Sequence, residues 1–455
     1  MSLLEQANKV LQEQVKYGDI NAGEVYVERK RTTFLRVERG QFQVGTISEE
    51  WGGAIRVLIN QGLGFATFTT ERLGSNAFKS AIDNARAAPP NPHATIPEPS
   101  KVRSEFEGFD PKLDTLEPEE MVESLQIVQN VFNDKRVHGS VAIMGVSRHD
   151  IAIANTHGIE HKSRATQLTI GLECYAKSGD VIGVGIGDAR SPTTQLPISV
   201  EEMATKTLDD AVLNLKQRKV TSGTMPVILH PIAVRELLGW VFIPEILGHN
   251  VVKGVSPFTE KLGESIASDT VTLTDKGTSP LAFYPSPVDD EGVPRQDITV
   301  IENGILQSFL YDSTSAKEAG LDSTGNCGRF RSYDGRSYAY PPTCVTHELT
   351  FQAGSASFEE MIEDVKLGVY IFYPIGAHSG NIANGEFNIA PYSCYLIENG
   401  ELTGGLKKFI FSSSIPEILK KIETVGKDAQ RNAIAFNHQV TSPHVFLRDV
   451  KIVSD

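Results

Sequence analysis

Residues 237–268 read LLGWVFIPEILGHNVVKGVSPFTEKLGESIAS. The stretch places Glu245 and His249 four residues apart in a predicted helical turn that Pro244 opens, proline being tolerated at a first helical position. Residues so spaced lie one above the other on a helix face, close enough to share a metal or a proton. A Gly- and Ser-bearing loop follows, then KLGES, then a predicted strand over 270–274. The pair thus sits where a helix hands over to a loop. Such pairs are also ordinary surface contacts, so the surrounding chain has to decide.

Upstream, residues 225–229 read as a buried strand and 233–239 as a short helix. Further back, helix–strands–helix occurs twice. The N-terminal run spaces Leu4, Ala7, Leu11 and Val15 as an amphipathic helix. Period-2 runs around Val25, Val27, Phe34 and Arg36 predict strands. A hairpin follows, whose Asn60-Gln61-Gly62 turn takes its positive φ from Gly62, and residues 72–88 read as a helix. Five prolines between Pro89 and Pro99 exclude a helix or central strand there and mark a stiff linker. The second unit has a helix over 117–133, with Glu117, Glu119 and Glu120 in its first turn. Strands over 141–147, 150–155 and 165–175 come next. A helix opening on the Ser199…Glu202 capping box runs to about 218. Downstream of the quoted stretch, strands and turns dominate. Two Ile-Glu-Asn-Gly segments, 301–304 and 397–400, signal hairpins, with an amphipathic helix over 357–368 between them. The expected class is α+β: an N-terminal α/β region of helix–strands–helix units and a large, mainly antiparallel C-terminal β domain with a few helices. The expected regions are 1–99, 100–220 and 221–455.

The chain has 455 residues, 43 Lys plus Arg against 57 Asp plus Glu, and a formal net charge of −14. With no Lys/Arg-rich run, that balance disfavours nucleic acid as the partner. The N-terminus does not read as a signal peptide, and no apolar run reaches membrane-span length. Cys174, Cys327, Cys344 and Cys394 form no C-x-x-C, the usage of a reducing interior. A cytoplasmic protein is expected.

Other motifs reduce to structural readings. His157-Gly-Ile-Glu-His161 matches a zinc-peptidase pattern that needs a helix, but it connects two strands. Extended, its histidines would stand about 13 Å apart, against about 4 Å for nitrogens sharing one zinc. His347-Glu-Leu-Thr-Phe351 lies in a strand context. Gly183-Val-Gly-Ile-Gly187 is a glycine-rich strand edge or bulge, not a phosphate cradle. Cys327 reads as a buried cysteine. A catalytic zinc takes three protein ligands and a water. Glu245 and His249 need more donors, from His230, Cys327, His378, His438 or His444.

From about 221 to 428 the chain resembles the TldD/PmbA (TldD/TldE) family of zinc-dependent peptidases, also known as modulators of DNA gyrase. The matching segments include MPVIL (225–229), SPFTEKLGESIAS (256–268), DDEGVPRQ (289–296), STGNCGR (323–329) and NGEFNIAPYSCYLIENGEL (384–402). In the metal-bearing TldD branch the resemblance implies His-Glu-x-x-x-His plus a cysteine near the C-terminus. Here Pro244 stands at the first His, Glu245 and His249 match the rest, and no Cys follows Asp428. The resemblance therefore points to the PmbA (TldE) branch: a subunit that pairs with a TldD-like chain or with itself. It would act on peptides or unfolded polypeptides, and binds no zinc by itself. Glu245 is the implied catalytic residue and His249 the implied ligand, while Gly376, Gly380 and Asn381 are expected to offer main chain to a bound peptide. The alternatives are an autonomous metallopeptidase with noncanonical ligands and an inactive homodimeric peptide-binding protein.

Overall fold

The alternating runs of the N-terminal half build one sheet, not two. A computed structural model of the chain describes residues 2–15, 20–69, 75–102, 108–282, 284–331, 335–431 and 440–454. The first unit comprises α1 (Leu3–Val15), β1 (Ala22–Glu38), β2 (Gln41–Ile59), β3 (Gly62–Phe68) and α2 (Ser75–Ala87). The second comprises α3 (Pro118–Phe132), β4 (Val137–Asn155), β5 (Glu160–Ser178), β6 (Val181–Ser191) and α4 (Val200–Leu213). Each keeps the helix–strands–helix order expected of it. β1 and β4 then pair antiparallel from Glu24↔Asn155 to Glu38↔Val141. The six strands run in the order β3-β2-β1-β4-β5-β6, so the expected regions 1–99 and 100–220 share a single layer.

Local differences from the sequence reading have physical causes. The runs 141–147 and 150–155 are one 19-residue strand. The Arg148-His149 pair that reads as a break is buried and partnered: Arg148 donates to the Asp114 carbonyl at 2.7 Å and His149 Nδ1 meets Glu28 Oε1 at 3.0 Å. In the β2–β3 hairpin the positive φ belongs to Asn60 and Gln61, at 47° and 70°. Gly62 is needed for space instead, since a Cβ there would lie 2.1 Å from the Ala85 carbonyl oxygen. Helix α4 stops at Leu213, short of 218, where Asn214 turns its amide onto the Val184 carbonyl at 2.8 Å.

The C-terminal part is organised by a closed ring of strands. β7 (Gly223–Leu229) leads into α5 (Pro231–Leu237), α6 (Ile243–Ile246) and α7 (Gly248–Val251). β8 (Leu273–Lys276), in place of 270–274, and β9 (Asp297–Glu302) belong to a separate sheet. α8 (Phe358–Glu363), opened by a reciprocal Ser357/Glu360 box, is shorter than expected, and residue 368 already lies in β10 (Leu367–Ile375). β11 (Glu386–Glu398), β12 (Glu401–Leu406), β13 (Ile410–Ser414), α9 (Ile415–Lys421) and β14 (Val445–Val453) follow. β10 pairs with β7, β7 with β14, β14 with β13, β13 with β11, and β11 again with β10. Alternation assigns the two faces. Val227, Leu229, Val369 and Ile371 join the α5–α6 core. Ile228, Tyr370, Phe372 and Tyr395 face the other way, against Ile186 of β6. Both Asn-Gly hairpins form as read, with positive φ at Asn303, Gly304, Asn399 and Gly400.

Candidate functional site

Residues 231–246 follow one helical path. His230 caps α5, its Nδ1 accepting from the Ile232 N–H at 3.1 Å. The path widens into a π-helical turn, Leu238–Phe242, and tightens again as α6. Pro244 therefore sits inside a continuing path, because Phe242 before it is helical at φ −70°, ψ −45°. A proline removes one backbone donor and crowds the preceding turn, and a locally widened turn accommodates it.

The helix does not carry on to His249. Leu247 is extended at φ −78°, ψ 127° and bridges to Leu310: Gly248 N–H donates to the Leu310 carbonyl at 2.6 Å, and Leu310 N–H to the Ile246 carbonyl at 3.0 Å. Glu245 and His249 are thus on two different short helices, α6 and α7, and the single helix face expected for them is absent. Asn250 spans the break by donating to the Pro244 carbonyl at 2.8 Å.

Glu245 is fully buried, and neither carboxyl oxygen has a hydrogen-bond partner. Gly385 lies against it; a Cβ there would come within 2.8 Å of Glu245 Oε1. Burial pushes this carboxyl up to about 9, so it is neutral at neutral pH. His249 is half-buried with Nδ1 unpartnered, and burial, assisted by Lys253, lowers its pKa. Two orphaned groups of ligand type thus flank the break, but Pro244 supplies no donor. Among the described residues no third His, Cys or carboxylate joins them within metal-binding reach. The set does not complete a zinc site. His438 lies outside the described residues.

The other candidates are dispersed. His230 and His444 meet each other, ring centroids 5.1 Å apart, on the face of the ring that carries Tyr370. His378 is exposed and packs edge-on to Trp240 at 6.1 Å. Cys327 is buried as expected, and sequence reasoning missed its company: donor atoms of Asp289, Glu291 and Cys327 all lie within 4.8 Å of one another. The acidic run in DDEG was the available signal. Each carboxylate oxygen there already accepts a bond. Asp289 Oδ1 takes the Glu291 and Val293 N–H groups at 2.9 Å each, and Oδ2 the Cys327 N–H at 3.1 Å. Glu291 takes Arg56 Nη1 at 2.7 Å and the Ser313 N–H at 3.1 Å. Burial raises Asp289 and the Cys327 thiol well above their usual ranges. This cluster has the donor types for a metal and is at the same time a satisfied ionic junction.

Gly376, Gly380 and Asn381 form the turn after β10. Gly376 has φ 109°, and a Cβ would meet the Asn388 carbonyl oxygen at 2.5 Å; a Cβ on Gly380 would meet Val241 Cγ2 at 2.7 Å. The turn is thereby seated on the π-helical segment beside Glu245. The Gly380 and Asn381 N–H groups donate to Ala377 and Glu386 carbonyls at 3.0 and 2.8 Å.

Comparison with known proteins gives consistent matches. The profile of the PmbA/TldA metallopeptidase C-terminal domain matches residues 222–454, and that of the PmbA/TldA metallopeptidase domain 1 matches residues 23–88. The chain is 30% identical over 436 residues to a Methanothermobacter thermautotrophicus protein named metalloprotease, covering 92% of this chain and 89% of that one. To the zinc metalloprotease TldD homolog of Saccharolobus solfataricus it is 25% identical over 430 residues, 88% of this chain and 89% of the other. The crystal structure of TldE from Thermococcus kodakarensis superimposes with a TM-score of 0.88 at 26% identity, over 98% of this chain and 100% of that one. A Thermotoga maritima protein named for modulation of a DNA gyrase shares the fold at a TM-score of 0.87 and 24% identity, over 99% and 100% of the two chains.

Proposed function

The chain belongs to the PmbA/TldD metallopeptidase family, and we propose that it is the TldE-like subunit of a cytoplasmic TldD-type zinc peptidase acting on peptides or unfolded polypeptides. The observation that carries this reading is the site around Pro244. A proline occupies the position that the resemblance gives to a ligand, Leu247 breaks the helix between Glu245 and His249, and among the described residues no third donor joins that pair. Zinc and its bound water then come from a TldD-like partner. Likeness to a TldE structure over 98% of the chain supports the branch. Four free, buried cysteines support a reducing compartment, and no described helix is long and apolar enough to cross a membrane. The 376–385 turn against Glu245 is the part of this chain assigned to peptide contact.

The test is elemental mass spectrometry on the dialysed chain, alone and after co-purification with a TldD-type chain. The chain alone should carry no stoichiometric zinc, and the complex should carry zinc and cleave peptides. Near-stoichiometric zinc on the chain alone, lost in His249→Ala, would overturn this reading in favour of an autonomous enzyme. Failure to co-purify with any TldD-type chain would overturn the subunit role.

A further inference from the structure

A cleft of about 670 Å³ lies between the N-terminal layer and the outer face of the strand ring. None of its lining residues is Pro244, Glu245 or His249, so a ligand bound there is independent of the subunit reading. Its floor is a sheet of rings in mutual contact. His230 and Phe372 have centroids 4.2 Å apart, Phe358 and Tyr370 4.8 Å, and Phe358 and His444 5.0 Å. Burial keeps both histidines neutral, lowering His444 to about 4 and His230 well below its usual value. His230 Nδ1 is occupied as an acceptor, and His444 Nε2 is 3.0 Å from the Tyr370 hydroxyl. The floor is therefore aromatic and carries no positive charge, with Phe358 its half-buried ring.

The walls are acidic, and the cations among them are already engaged. Lys206 pairs with Glu202 at 2.9 Å and Arg431 with Glu348 at 3.0 Å, while Asp188 is held by Arg235 at 3.3 Å. Among the described lining residues this leaves Asp209, Asp210 and Glu359 without an ion-pair partner. Asp210 is the deepest of them. Burial pushes its carboxyl up to about 7, with Asp209 raising it further and a hydrogen bond from Tyr395 and the charge of Lys206 only partly offsetting this, so a further cation seated against it would favour its charged form. Ring faces beside unpaired carboxylates at a junction of two layers are the recognition chemistry of an organic cation.

We propose that this cleft binds a primary ammonium group on an apolar stem, the chemistry of a lysine side chain or of a peptide N-terminus, with the ammonium at Asp210 and the stem over the Phe358–Tyr370–Phe372 rings. A neutral ligand of the same shape gains the stem contacts and forfeits the charge.

Isothermal titration of the full chain with three probes tests this. Nα-acetyl-lysine methylamide presents the side-chain ammonium, leucine methylamide the N-terminal one, and Nα-acetyl-norleucine methylamide neither. One of the two ammonium probes should bind saturably, roughly 10-fold or more tighter than the neutral probe, and which one does identifies the source. Asp210→Asn should weaken it by about 5-fold or more, and Phe358→Leu, at the half-buried rim, should weaken it too. Equal binding of the neutral probe, no saturable binding of either ammonium, or full affinity in a folded Asp210→Asn chain would overturn the proposal. The three-probe comparison needs no variant, so it decides the matter even where a substitution fails to fold.

Discussion

At the scale of single residues, Glu245 is the group out of balance. Its carboxyl is 0% exposed, has no hydrogen-bond partner and is pushed up to about 9 from an ordinary 4.5. The folded chain therefore keeps a proton that the unfolded chain releases above about pH 4.5. Folded proton binding that exceeds unfolded binding lowers stability as pH rises. Stability should fall from about pH 4.5 towards 9, and level off above the folded pKa. Glu245→Gln cannot titrate, so the variant should gain on the parent steadily with pH, by about 2–4 kcal/mol between pH 5 and 8. Urea denaturation at those two pH values reads the difference. A constant gap would mean that a cation compensates the carboxylate in the folded chain. Glu245 and His249 were themselves legible in the sequence, as an i,i+4 pair beside a proline. Their separation onto two helices was not, because it is imposed by the bridge from Leu247 to Leu310, a pairing no local window contains.

At the scale of elements, the glycines of β6 show what local pattern does reveal. Gly183, Gly185 and Gly187 recur with period 2 and so share one face of a strand. They form no phosphate cradle, and the sequence excluded one because no helix opens directly behind them. The structure supplies the cause. A Cβ would lie 2.0 Å from the Ala211 carbonyl oxygen at Gly183, 1.8 Å from that of Thr207 at Gly185, and 2.3 Å from Thr207 Oγ1 at Gly187. The strand is bare so that the α4 backbone can rest on it. Gly185→Ala should displace α4 and cost about 3 kcal/mol, near the upper end for overpacking. Gly179, in the turn before β6, has φ 58° with nothing within 4 Å of a Cβ. Gly179→Ala should cost only the left-handed backbone strain, about 1 kcal/mol. Paired thermal melts decide; equal losses would mean that backbone conformation, not contact with α4, explains the glycines. Hairpins at Asn-Gly were readable for the same local reason. The extent of α8 was not, since its amphipathic spacing continues into residues that the strand ring claims for β10.

At the scale of the whole molecule, an ionic network joins the N-terminal sheet to the C-terminal part. Arg56 of β2 pairs with Glu24 of β1 and, at 2.7 Å, with Glu291; Arg329 reaches back to Glu24 at 2.8 Å; all four side chains are buried. Arg336 pairs with Asp290 beside them, and the Tyr338 N–H donates to Glu28 of β1 at 2.8 Å. Composition gave no hint of this, because partners such as Arg56 and Glu291 stand more than two hundred positions apart in the chain. Charges taken out of water cost more than their attraction returns unless every partner is present, and removing one partner strands the rest. Arg56→Met should therefore cost about 3–5 kcal/mol, although methionine fills much of the same volume. Glu24 and Arg56 pair within the N-terminal part, but the buried Glu291 and Arg329 of the C-terminal part find their ionic partners only across the boundary. Differential scanning calorimetry of the full chain should accordingly show one cooperative transition, and residues 221–455 expressed alone should show none. Two separated transitions in the full chain, or a cooperative melt of the isolated C-terminal part, would mean that the buried charges are satisfied within each part and that the two fold independently.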